Sequence, residues 1–239
     1  HAGWDPLTIA CLPFAVFCLF VFFRYERRVD PAHAVFPQSL RRNPRFLTAA
    51  AFGLFAALGV FALTFLVSNY IQSVLGQTAF WAGFVLAPAS IASVVTAPIA
   101  GRWVDEGEAR LVLQIGFGAS AVGTALSMLI AAMGGSWVWF LGATVVFGIG
   151  NGFVMAPLTT VGMTALRGDE FGAASSLLNV LRQAGPVLGG AVVGLLMQML
   201  AAMPTEVDPL GISSSVVAWV LGVPLLLFIV GLFVYSFVP

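Results

Sequence analysis

Arg182 is the only charged residue inside any of the long apolar runs of this sequence, and Asn179 and Gln183 fall on its side of a helix. An arginine at mid-membrane costs roughly 3 kcal/mol or more, so it normally faces a partner or a water-filled cavity. Arg182 lies roughly ten residues into its run, about 15 Å along a helix. Two readings stand open. In one the side chain snorkels or meets a backbone carbonyl. In the other it lines a central cavity with Asn179 and Gln183, where it touches a substrate or pairs with a carboxylate. One turn further on, Gly185, Pro186, Gly189 and Gly190 form a small-residue side that lets another backbone approach.

A second polar position, Asn151, lies between Gly150 and Gly152 and one turn from Gly148. It either donates to a substrate or serves close helix packing, for which Gly148 and Gly152 are the right residues. Thr159, Thr160 and Thr164 are expected to bond their own helix backbone. His33 has no ligand partners nearby, so no metal site is expected. There is no glycine-rich phosphate loop, no Ser-His-Asp set and no pair of membrane carboxylates, so neither an enzyme nor a cofactor is expected. All ten basic residues are arginine; the absence of lysine removes Schiff-base chemistry and with it a retinal protein. Cys11 and Cys18 share one apolar run and are expected to be buried packing residues.

The elements that would hold these residues follow from composition. The 239 residues are 60% hydrophobic and 8% charged, with a mean hydropathy of +1.01, which a soluble domain could not carry. The chain is expected to be an integral membrane protein. Its net charge of zero points to no nucleic-acid partner. A membrane-spanning helix needs about twenty apolar residues, and seven candidate spans appear: 7–23 (short), 46–67, 80–100, 111–133, 137–166, 172–200 and 216–237. The polar cluster Ser68, Asn69, Tyr70 and Gln72 is expected to close the second span. Trp4, Trp81 and Trp137 are expected at one membrane interface. The loops at 24–45, 102–110 and 167–171 hold six, two and one arginine, and the alternate loops none. By the positive-inside rule those three loops are cytoplasmic, with the N-terminus outside and the C-terminus inside.

The turn Gly101 to Arg110, GRWVDEGEAR, resembles the short cytoplasmic loop motif of the major facilitator superfamily, with Gly101, Asp105, Gly107 and Arg110 matching. Glu106 stands where a basic residue is usual, and Glu108 and Ala109 interrupt the terminal basic cluster. Three further stretches are similar to parts of the fourteen-helix drug:proton antiporters of that superfamily. They are ERRVDPAHAVFPQSLRRNPRF (26–46), FGIGNGFVMAP (147–157) and GAASSLLNVLRQAGPVLGG (172–190). The resemblance implies helices eight to fourteen of such a transporter: an extra transmembrane helix at 1–23, a cytoplasmic basic linker at 24–45, and a C-terminal six-helix half at 46–239.

What it implies in function is the C-terminal part of an efflux transporter in a bacterial inner membrane. That protein would export drug-like or amphipathic small molecules in exchange for protons by alternating access. Its partners would be the small-molecule substrate, protons, the lipid bilayer and an N-terminal half that this chain lacks. Asp105 is either an ordinary helix cap or part of a latch that holds one access state. No acid lies inside an apolar run, so the proton-carrying carboxylate is expected in the other half. The chain opens at His1 without an initiator Met, which fits the expectation of a fragment or a processed chain. A transporter for one metabolite is the alternative in the same fold. A seven-helix receptor or a non-transporting scaffold is the alternative in another class.

Overall fold

The computed structural model describes residues 42–164, 166, 170–201 and 214–237, together with Leu40 and Phe14, Phe17, Cys18, Phe20, Val21, Arg24 and Tyr25. Six long helices follow one another: α1 (Pro44–Asn69), α2 (Ala79–Asp105), α3 (Ala109–Ala132), α4 (Trp137–Met163), α5 (Phe171–Ala201) and α6 (Ser214–Phe237). A π-helical turn, Tyr70–Val74, extends α1. Each of the six is long and apolar enough to cross a bilayer.

This corrects the expectation of seven transmembrane helices: among the described residues there are six. The candidate at 7–23 was already short of the about twenty residues that a span requires. Most of it lies outside the described residues. Its described positions, among them Phe14, Phe17 and Phe20, are exposed. Cys18 is exposed too, against the expectation of a buried packing residue; Cys11 lies outside the described residues.

The helices stop where local chemistry stops them. Asn43 caps α1, its side-chain oxygen accepting from the backbone N–H groups of Arg45 (3.1 Å) and Phe46 (3.2 Å), with Pro44 at the first helical position. Gly107 turns the chain between α2 and α3 at φ +96, and Gly134 turns it between α3 and α4 at φ +63, conformations that cost a residue with a Cβ. The polar cluster at 68–72 does not end its helix. The chain continues in helical form through Tyr70, which is fully buried and donates from its hydroxyl to the carbonyl of Gly135 at 3.0 Å. Trp81 and Trp137, at the starts of α2 and α4, meet with ring centroids 4.6 Å apart. Trp4 lies outside the described residues.

Packing does not follow chain order. α3 packs on α4 and α6, α2 on α4, and α1 on α5, α4 and α6, whereas α2 barely meets α1 or α3. The core lies where α1, α3 and α6 converge. There Phe52, Phe117 and Tyr235 form a triangle with centroids 5.2 to 6.0 Å apart, an arrangement that adds about 0.5–1.5 kcal/mol per pair beyond burial. Two helices lack cover. In the apolar windows of α2 and α5 only 11% and 17% of residues are buried, against 44–50% in the other four.

Candidate functional site

α5 is held against α1 by its small residues. A Cβ on Gly185 would stand 2.7 Å from Ala57 Cβ and 2.9 Å from the Leu58 nitrogen. One on Gly189 would stand 3.2 Å from the Leu58 carbonyl oxygen, and one on Gly190 3.3 Å from the ring of Phe61. Backbones this close gain dispersion contacts that larger side chains would forbid. The helix runs on through Pro186, which is half-buried.

That seating fixes Arg182, one turn before Gly185. Its side chain is half-buried in a crevice of about 10 Å³ between α1, α4 and α5, beside Gly53, Met155, Thr159 and Leu178. Such a volume is at the lower limit for one water molecule. The guanidinium donates to the thioether sulfur of Met155 at 3.6 Å, and no other partner is found among the described residues. A thioether is a weak acceptor, so most of the five guanidinium donors stay unsatisfied. Asn179 and Gln183 are exposed, on the side of α5 that none of the described helices covers. The three residues are therefore adjacent but not equivalent: the cation turns into the crevice, and the two amides flank it on the open face.

Asn151 belongs to a different contact. At its level α4 crosses α2, with Gly148 against the backbone of Ala89 and Gly152 against Thr96 and the Ser93 carbonyl. Asn151 donates from Nδ2 to Ser93 Oγ at 3.3 Å, while its Oδ1 is buried without a partner among the described residues. Thr144 adds a bond to the Val85 carbonyl at 2.9 Å, in the turn before Pro88, where the missing proline N–H loosens the ladder. Arg182 reaches Met155, one turn along α4 from Asn151. Thr159 and Thr160 bond the carbonyls of Met155 and Ala156, and Thr164 that of Val161, all on their own helix or its end.

The loop motif lies at the end of the bundle where α2 finishes and α3 begins. Gly101 is in the last turns of α2, and Asp105 is its final residue and exposed. The N-cap position of α3 belongs to Glu108, without a side-chain bond, so the ordinary-cap reading of Asp105 fails on geometry. Arg110 does something the sequence did not disclose. Its guanidinium donates to the Ser236 carbonyl, and Gln114 Nε2 reaches Ser236 Oγ at 3.2 Å. A cation is thus fixed on the negative end of α6, the favourable pole for it.

Among the described residues, six apolar spans, small-residue crossings and one half-buried cation define a polytopic helical membrane protein. Residues 1–190 match the family model of the Major Facilitator Superfamily, and the chain belongs to that superfamily. It is 30% identical over 216 residues to the uncharacterized MFS-type transporter Rv1250 of Mycobacterium tuberculosis, an alignment covering 87% of this chain and 36% of that protein. It is 28% identical over 193 residues to the multidrug resistance protein Stp of the same species, covering 80% of this chain and 35% of the relative. The chain thus spans about a third of the length of these relatives. In fold it is similar to the inward-open xylose transporter XylE from E. coli, with a TM-score of 0.61 at 14% identity, over 81% of this chain and 47% of the other. The chain is an integral membrane protein of a transporter family, not an enzyme.

Proposed function

We propose that residues 46–239 are the C-terminal half of a secondary efflux transporter that exports drug-like or amphipathic small molecules by proton antiport. Residues 24–45 are then its cytoplasmic linker, the loop motif 101–110 faces the cytoplasm, and the membrane is a bacterial inner membrane. The observation that carries this reading is the state of Arg182. A guanidinium with only a thioether to bond among the described residues, flanked by two exposed amides on a helix with 17% of its window buried, is incomplete as it stands. An uncompensated cation at this depth is costly. A second half packed against α2 and α5 supplies the missing wall, and the missing anion comes either from a substrate or from a carboxylate of that half. The name of the similar multidrug resistance protein supports drug-like cargo. Alternating access then consists of the two halves rocking about the site.

In this reading Asp105 and Arg110 help hold one access state, and the proton carrier is a carboxylate outside this chain. The test uses the full-length transporter in inverted vesicles, with drug uptake followed before and after the proton gradient is collapsed. Arg182→Ala should abolish proton-driven uptake while the protein inserts at its normal level. Normal uptake by the variant would remove Arg182 from the cavity, and uptake indifferent to the gradient would remove proton coupling.

A further inference from the structure

A second cavity, unrelated to Arg182, opens at the end of the bundle where α1 and α3 begin and α2, α4 and α6 finish. Its volume is about 540 Å³, far more than a phosphate ion fills. Two arginines line it, Arg45 in the first turn of α1 and Arg110 in the first turn of α3. Its other walls are largely apolar, with Val104, Leu113, Val161 and Tyr235 among them. No carboxylate lines it among the described residues: Asp105, Glu106 and Glu108 lie exposed on the adjoining turn, outside the lining set. The two cations differ in freedom. Arg110 spends one donor on the Ser236 carbonyl, which pins its guanidinium at the wall and leaves the others available. Arg45 is exposed, and among the described residues its backbone N–H is bonded, to the cap residue Asn43, with no side-chain bond found.

Two arginines lining a largely apolar cavity at the end of the spanning helices match one ligand chemistry: a phosphodiester carried on hydrocarbon. Basic pockets between transmembrane helices at the cytoplasmic side bind anionic lipid headgroups by this combination. We infer that Arg45 and Arg110 form a binding site for an acidic glycerophospholipid, its phosphate between the guanidiniums and the start of an acyl chain against Leu113 and Val161. The assignment of this site to the inner leaflet rests on the orientation in the proposed function; the pocket chemistry does not.

The test is native mass spectrometry of the full-length transporter, purified in detergent with equal phosphatidylglycerol and phosphatidylcholine. Lipid retention read this way does not depend on which side of the membrane the turn faces, so a wrong orientation and a wrong site give separate results. The wild type should retain phosphatidylglycerol in preference. Arg45→Ala with Arg110→Ala should reduce that preference roughly five-fold per arginine, about twenty-five-fold in all. The double lysine variant should keep most of it, which separates lost charge from a disturbed α6 end. Arg102→Ala, an exposed arginine outside the cavity, should leave it unchanged. An equal loss on Arg102→Ala would reduce the site to diffuse surface charge and overturn the inference. So would displacement of the lipid by excess inorganic phosphate, which would mark a free-anion site. Absence of any phosphatidylglycerol preference in the wild type would overturn it as well, as expected if a carboxylate of the other half fills the pocket.

Discussion

The seating of α5 on α1 can be tested by adding a single methyl group at positions that differ only in the space the structure leaves. At Gly185 a Cβ would stand 2.7 Å from Ala57 Cβ, 2.9 Å from the Leu58 nitrogen and 3.0 Å from the Leu54 carbonyl oxygen, against the 3.4 Å where ordinary contact begins. Two of the three obstacles are backbone, so no rotamer change relieves them and the helices must separate. Overpacking of this kind costs about 1–3 kcal/mol, offset by the up to about 1 kcal/mol that alanine gains over glycine in a helix. Gly185→Ala should therefore destabilise by roughly 1–2 kcal/mol. At Gly189 the nearest atom would be 3.2 Å away, and the two effects should nearly cancel. Gly222 of α6 has nothing within 4 Å, and alanine there should stabilise by about 0.5–1 kcal/mol. The assay is unfolding of the full-length protein in mixed micelles by titration with a denaturing detergent, with helix content as the readout. The ranking matters more than the values. If Gly185→Ala is as stable as Gly222→Ala, α1 and α5 are not in close contact at that level, and the crevice around Arg182 loses its walls.

Two smaller perturbations address other contacts. Tyr70→Phe removes the hydroxyl that bonds the Gly135 carbonyl and should cost about 1 kcal/mol, measured in the same unfolding titration; no change would mean that water serves that carbonyl equally well. A double-mutant cycle with Asn151→Ala and Ser93→Ala should return a coupling of about 0.6 kcal/mol, and below about 1.7. Zero coupling would release Asn151 from the α2–α4 contact and return it to the candidates for substrate contact.

What the sequence made legible was what one helix carries on its own face. Apolar runs long enough to span became α1 to α6, because backbone bonding in a bilayer leaves a long apolar segment few alternatives to helix. The small residues of α5 could be named, but not their partner, since Gly185 and Ala57 meet only through the tertiary arrangement. Contacts distant along the chain were invisible for the same reason. Tyr70 looked like the end of a span because its hydroxyl partner lies 65 residues away. Arg110 looked like a loop charge because the carbonyl it holds is 126 residues downstream. Arg182, Asn179 and Gln183 are neighbours on one helix by their spacing alone. That Arg182 turns into a crevice while the amides stay outside depends on where α1 and α4 approach, which helical spacing does not encode.

The departure of packing from chain order also bears on how the protein is made. α2 leaves the ribosome before α4, yet α4 is its chief neighbour, and Ser93 meets Asn151 only 58 residues later. At about 5–20 residues per second, that is a wait of about 3–12 s. Throughout it the side of α2 that will carry the bonds to Thr144 and Asn151 has no protein cover from its sequence neighbours, which it barely touches even when folded. Until α4 arrives, that side of α2 therefore faces lipid or whatever protein is already beside it in the membrane.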